Sequence, residues 1–539
     1  MIRGSGDAYP STKLKSNTGY IIGLLDTNQI NCMLAFHVAA PENHRATRTV
    51  LEYTHNRMHE AVAMSARGEL RTTVGGDEFK ISAGLMVACN DWPMAAKQLK
   101  CVSPQSIFKG FMLQQTSRDY APFIGHTVLD MTEKHINFEK RLRLARERQA
   151  KELQLDGVMG LSAEQRAREL KDWEQAERNP QLGQPSAGSE FPLHDMLHAK
   201  PGVVKKNAKA IAALFPDFSS MLQSHKPLEN FACDLKKGEK LNMTGSMASW
   251  YFRNFVRLIK PLLTQERSSK NAMLLTHSVI FVKVRDIIGS VMTTTKHNEQ
   301  TVQKIADLGK EALNLHLLVF TGDDVLPYLA CLCLDLPVQL KFILQACNER
   351  NIDFDSSSIN AQQMELCNKV CKLLVHTLSN HKHITGEEKE QEKHYQSETF
   401  RVFLYEYIVK VLARKLGFEK TLPAMRSDKQ KVLPEGNECK LCGLDLEQDP
   451  TVHDFFCQHP LLEPLLATAR EGKLHADIQA LLTPEAVAPI LLQPAEPTKN
   501  IRQKHVKAPK SAAQVEQAEK KKEDRRKTSE WKKKKQETV

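Results

Sequence analysis

A mainly helical body with a small α/β domain near its N-terminal end is the fold class this sequence predicts, and three observations predict it. Apolar residues recur at helical spacing, with few Gly or Pro, from about 203 to 418. Strand-like alternation broken by turn residues is confined to about 18–130. The 539 residues are 41% hydrophobic and 26% charged, a globular composition with enough apolar material for real cores.

In chain order, residues 1–17 are polar, with Gly4, Gly6, Pro10 and Ser11, and read as a flexible N-terminus without the apolar stretch of a signal peptide. Residues 18–132 read as the small α/β domain. Strands at 20–25 and 30–38 form a hairpin turned at Asp26-Thr27-Asn28-Gln29, and a helix follows at 46–64. Strands at 70–74 and 79–89 are joined by Gly75-Gly76-Asp77. Residues 133–178 are a charged helical arm whose second helix opens on the capping box Ser162…Gln165. Residues 179–202, rich in Pro, Gly, Gln and Ser, read as a linker.

The helical domain, 203–420, carries predicted helices at 204–214, 248–263, 272–292, 301–318, 325–346, 362–378 and 395–416. No fixed-period repeat marks it, which favours a multi-helix bundle over a solenoid. The apolar run 325–344 contains Pro327, Asp335, Pro337 and Lys341, so it reads as a buried core helix, and no membrane association is expected. Residues 437–482 form a Cys/His segment with trailing helices, and 483–539 a Pro-rich linker and a disordered Lys-rich tail.

The net charge of +11 is concentrated at one end. Residues 499–539 hold 15 Lys/Arg against 6 Asp/Glu, a balance of +9, which leaves +2 for residues 1–498. Attraction to polyanions is therefore a property of the tail. The 12 cysteines, in a chain with no export signal, argue for free thiols and metal ligands over a disulfide framework, hence for an intracellular protein, nuclear or cytoplasmic.

The strongest local motif is Cys439-Lys-Leu-Cys442, then His453, Cys457 and His459. A C-x2-C knuckle closed by Gly443 supplies two ligands from one turn. A helix starting at Asp449-Pro450-Thr451 places His453 and Cys457 four apart on one face. The layout resembles a C2HC variant of the ββα zinc finger, over about 21 residues, with a shorter spacer between knuckle and helix. The resemblance implies one structural zinc, with His459 competing for the fourth position. The helix reads Thr-Val-His-Asp-Phe-Phe-Cys and offers no Arg or Lys for reading bases, which points to a structural or protein-facing role.

The tail has two basic clusters, Lys520, Lys521, Lys522, Arg525, Arg526 and Lys527, then Lys532, Lys533, Lys534 and Lys535. It resembles a nuclear-localisation or polyanion-binding arm, so the expected ligand is nucleic acid. Protein partners are expected on the helical body and the charged arm.

Three weaker patterns complete the inventory. His194 and His198 are spaced like the histidines of a zinc metalloprotease helix, but Asp195 replaces the Glu base and prolines flank the segment. Gly322-Asp323-Asp324 resembles a polymerase turn, and a helix cap explains it more cheaply. Asp26 and Asp91, each ending an apolar strand, are what an RNase H-like nuclease or transposase needs for two metal ions, with Glu133 as a third member. The sequence alone favours a non-enzymatic, nucleic-acid-associated zinc protein. The metal-dependent nuclease and a helical protein–protein scaffold are the alternatives.

Overall fold

The computed structural model describes residues 2–12, 15–24, 32–38, 71–74, 76–80, 85–90, 92–102, 110–116, 119–185, 189–239, 241–294, 296–320, 327–354 and 438–482, with isolated positions elsewhere. The chain divides into two units, 1–490 and 491–539, and all the described residues lie in the first. The predicted helices at 362–378 and 395–416, the turn at 322–324 and the basic tail lie outside the described residues.

The described part is mostly helical, built on one mixed sheet. Strands β1 (Ile2–Thr12), β2 (Lys15–Leu24) and β3 (Cys32–Val38) form an antiparallel meander. A separate ribbon pairs β4 (Arg71–Val74) with β5 (Asp77–Lys80). Strands β6 (Met86–Asn90) and β7 (Phe191–His194) then add in parallel beyond β1, giving the order β3-β2-β1-β6-β7.

Two segments depart from their sequence-based reading. Residues 2–12 are not a flexible end but the middle strand, paired to β2 on one side and β6 on the other. Its glycines lower local strand propensity, and long-range pairing overrides that. Pro10 falls beyond the last β6 pair, beside a register shift, where a missing N–H is tolerated. Part of the supposed linker 179–202 is β7, at the sheet's edge, which is where Pro192 fits a ladder.

The parallel β6–β7 pair requires a long crossover. It holds α1 (Trp92–Leu99) and the arm, α2 (Phe138–Asp156) with α3 (Ala163–Ala176). Asn137 caps α2 by accepting from Lys140 N, and Ser162 and Gln165 form the expected capping box on α3. Arg148 ties the two helices together through Glu174 at 2.8 Å.

From β7 the chain runs directly into α4 (Met196–Leu214). Short helices α5 (Phe218–Gln223) and α6 (Glu229–Lys237), not anticipated from spacing, precede α7 (Gly245–Ile259), α8 (Ser269–Thr293) and α9 (Glu299–Val319). On α7, Tyr251, Phe255 and Leu258 are buried while Arg253 and Arg257 face solvent, so its mixture of rings and bases is that of an amphipathic core helix. Helix α10 (Pro327–Glu349) is long and apolar enough to cross a membrane, yet 83% of its apolar window is buried inside the fold. A π turn at Cys331–Asp335 interrupts it.

Helices α11 (Pro450–Cys457), α12 (Leu462–Glu471) and α13 (Ala476–Gln479) close the described chain. One hydrophobic core runs from Val87 and Leu193 in the sheet, through Phe281 and Leu340, to Phe456 and Leu465.

Candidate functional site

The Cys/His segment is built as its spacing predicts. Gly443 takes a left-handed φ of 71° and donates to Cys439 O at 2.8 Å, which closes the knuckle. Asp449 precedes α11, with Pro450 at its first position, and the helix carries His453 and Cys457 on one face. One ligand atom from each of Cys439, Cys442, His453 and Cys457 lies within 4.8 Å of the others, so these four residues can hold a metal ion.

The spacing also suits the ion expected from the donor set. Two Zn–S bonds of about 2.3 Å at a tetrahedral angle hold the sulfurs about 3.8 Å apart. Cys439 Sγ and Cys457 Sγ are 3.8 Å apart. The thiols share protons: a hydrogen bond from Cys457 pulls the Cys442 thiol down to about 6, while Cys457, the donor, is pushed up. Asp454 Oδ1 lies 2.9 Å from His453 Nδ1, the carboxylate–imidazole pairing that orients metal-bound histidines.

His459 does not belong to the set. It is buried; its Nδ1 accepts from Leu461 N at 3.1 Å and its Nε2 donates to Thr264 O at 2.8 Å. Both ring nitrogens are spent on backbone, which removes the competition for the fourth position. A ββα hairpin is likewise missing among the described residues, where the knuckle is closed by a single bridge, Glu438 to Asp445.

The segment is clipped to the helical body by charged and polar contacts. Arg285 on α8 donates to Cys442 O at 2.8 Å and Leu441 O at 3.2 Å. Arg257 on α7 pairs with Asp449, and Gln265 donates to Phe455 O at 2.8 Å. Arg257, which could have served nucleic acid, is thereby committed to protein.

A second arrangement emerges from strand register. Parallel pairing matches Gly4 with Ala88 on β1 and β6, and Asn90 with His194 on β6 and β7. Those are the last pairs of the two ladders, and in sequence Asp7 follows the first by three residues while Asp91 and Asp195 follow the second by one. Asp91 itself lies outside the described residues; in sequence it follows the last residue of β6 and precedes α1. Asp195 occupies the same place between β7 and α4. The carboxyl ends of β6 and β7 lie next to the point where the sheet's order reverses between β1 and β6. Crevices at such switch points are where open α/β sheets bind ligands.

Asp26 and Asp91, the pair suggested by the sequence, both lie outside the described residues. Asp195 stands between β7 and α4, where a strand end runs directly into a helix.

The histidine motif itself dissolves. His194 lies in β7 and His198 on α4, and they serve different partners. Asp195, buried, lies 2.5 Å from Nδ1 of the half-exposed His198. His194 is buried against α10: its N–H donates to Gln339 Oε1 at 3.0 Å, and its Nε2 lies 3.3 Å from Asp335 Oδ2.

Asp335 also accepts from Phe111 N at 2.5 Å and Met112 N at 2.9 Å. Arg141, 2% exposed, donates to Phe111 O and to Gln181 Oε1. Its buried charge and that of Asp335 attract one another. His194, Cys331 and Asp335 lie close enough to ligate an ion, but burial raises the Cys331 thiol far above its usual range, and Asp335 is already spent on two amides. The trio is thus a hydrogen-bonded support that fixes the end of β7 immediately before Asp195.

The Lys/Arg clusters at 520–527 and 532–535 lie outside the described residues. Compared with known proteins, the chain matches no family model, and no curated protein is significantly similar to it.

Proposed function

We propose that this chain is an RNase H-like, divalent-metal-dependent enzyme that cuts or transfers nucleic-acid strands. The observation that supports the reading is Asp195 at the carboxyl end of β7, beside the switch point of a sheet whose strand β1 carries Asp7; in sequence, Asp91 follows β6 directly. Carboxylate oxygens suit magnesium or manganese, and two such ions supply an activated water and neutralise the leaving oxygen of a phosphodiester. The chain's own work is positional. Asp335 and Gln339 on α10 fix His194 and so the backbone at Asp195, and His198 lies against the Asp195 carboxylate.

In this reading the Cys439, Cys442, His453 and Cys457 set holds one structural zinc that pins 438–482 to α7 and α8. All four positions are filled by protein, so the site has no open position for catalysis. The tail clusters add sequence-independent attraction to nucleic acid and suit nuclear import. The acid at the end of β7 beside the switch point is our ground for ranking the nuclease above the non-enzymatic binding protein that the sequence alone favours.

The test is cleavage of DNA and RNA duplexes in magnesium by the full chain and by Asp7→Asn, Asp91→Asn and Asp195→Asn. Each variant is expected to lose at least about 10³-fold in rate while keeping its melting temperature and nucleic-acid affinity. Parent protein that binds nucleic acid without cutting it returns the assignment to a non-enzymatic binding protein. Absence of binding leaves the scaffold reading.

A further inference from the structure

The face where α2 meets α10 encloses an open groove of about 810 Å³. Lys140, Arg143 and Arg146 line it from α2, and Lys341 from α10. Two carboxylates, Glu133 and Glu139, share the lining and leave an excess of two positive charges. Spacing explains the array: Lys140, Arg143 and Arg146 recur every three residues along one flank of α2, and Lys341 and Gln345 lie one turn apart on α10.

The positive charge is incompletely neutralised. Arg143 has Glu147 at 3.6 Å, an exposed pair of the weak kind, and Lys140 Nζ donates to the Glu133 backbone carbonyl. The Lys140 ammonium is held below its ordinary value, first by burial and then by Arg143, a cation facing another cation. Neutral donors stand among the charges, with Thr132, Asn137 and Gln345 in the same lining. Phosphate oxygens are taken by this mixture of Lys/Arg and neutral polar side chains. The floor is firm, because buried His135 packs edge-on to Phe342 at 6.0 Å and its Nε2 lies 2.8 Å from Val128 O.

The groove also stands near Asp195 at the end of β7. Gln339, which accepts from the His194 N–H, is six residues before Gln345 on α10, about 9 Å of helix. We propose that this groove is a track for the sugar–phosphate backbone of the nucleic acid whose scissile phosphate is presented at the carboxyl edge of the sheet. The inference rests on the nuclease reading and adds to it a binding surface outside the catalytic carboxylates.

The experiment measures fluorescence anisotropy of labelled DNA and RNA duplexes against a salt series, in magnesium-free buffer, with the full chain. The triple variant Arg143→Gln/Arg146→Gln/Lys341→Gln alters only side chains at the groove's surface, and its melting temperature checks the fold. Affinity is expected to fall about tenfold or more, and the slope of log affinity against log salt to shrink by about 2–3. Restoring charge with Arg143→Lys/Arg146→Lys/Lys341→Arg is expected to return most of the affinity.

A triple variant that binds with the parent's affinity and salt slope overturns the groove, as does a parent that binds neither duplex at low salt. Loss of binding to polyglutamate with duplex binding intact overturns it in favour of an acidic protein partner. If the parent does not cleave but the triple variant still binds more weakly, the nuclease reading fails and the phosphate track stands. Cleavage by the parent with unchanged binding by the triple variant removes the track alone.

Discussion

The Cys/His clip and the proposed aspartate set are two ways of assembling ligands, and they differ in the distance over which the chain must be organised. The clip draws its four ligands from 19 consecutive residues, Cys439 to Cys457, with one turn and one helix between them. The proposed aspartate set draws on positions 7, 91 and 195, far apart in sequence, and depends on the pairing of β1, β6 and β7. The first depends on local geometry; the second would depend on the finished sheet. The clip should therefore govern the stability of its own segment, and supports such as Asp335 should govern the end of β7.

Metal removal gives the largest separation between the two. The purified chain is expected to carry one zinc by elemental analysis, lost in Cys442→Ser and in Cys457→Ser but kept in His459→Gln. Structural zinc contributes about 10 kcal/mol or more to isolated finger peptides, so chelation should open 438–482 to hydrogen exchange while β6 and β7 stay protected. Uniform exchange along the chain would show that the clip and the sheet are not separable.

Asp335→Ala attacks the other side of the comparison. It removes the acceptor for the amides of Phe111 and Met112 and the partner of His194 Nε2. Leaving buried donors unsatisfied in this way costs about 1–3 kcal/mol each, so about 3–5 kcal/mol is expected in total. Chemical denaturation is expected to show that loss with the zinc retained, and a change under about 1 kcal/mol would deny the network its supporting role.

The same contrast explains what was legible beforehand. The knuckle, the start of α11, the capping box on α3 and the amphipathic faces from α7 to α10 depend on neighbours within a few residues, and they read correctly from spacing. The central strand did not, because Gly4, Gly6 and Pro10 argue locally against a strand that is held by β2 and β6. His459 looked like a ligand because it adjoins Cys457, and only the positions of Thr264 O and Leu461 N show that its nitrogens are taken.

A pH effect separates the helical body from both sites. His277 on α8 stacks on Phe320 at 4.3 Å, and burial, aided by nearby His316, pushes its imidazole down from 6.5 to about 3. The unfolded chain then binds a proton below about 6.5 that the folded chain refuses until about 3. Stability from this residue is complete above pH 6.5 and declines as pH falls toward 3, by up to about 1.4 kcal/mol per pH unit. His277→Phe keeps a ring against Phe320 and is expected to flatten the acid limb of the stability curve by that amount. An unchanged acid limb would place the proton uptake on other groups.

The smallest effect compares one glycine from each region. At Gly443, a Cβ would meet Arg285 Nη1 at 2.8 Å, the end of a flexible side chain, and the φ of 71° adds strain for any other residue. At Gly110, a Cβ would meet Asp335 Oδ1 at 2.5 Å, a buried carboxylate fixed by two amides. Arg285 can give way at its tip by yielding part of its bonds to Cys442 O and Leu441 O, so Gly443→Ala should cost about 1–2 kcal/mol, mostly backbone strain, with zinc retained. Asp335 cannot move without releasing two buried amides, so Gly110→Ala should cost more and, in the nuclease reading, should also slow cleavage through His194 and Asp195. Equal losses from the two alanines, with activity unaffected by either, would mean that the support around Asp335 yields as readily as Arg285 and does not position Asp195.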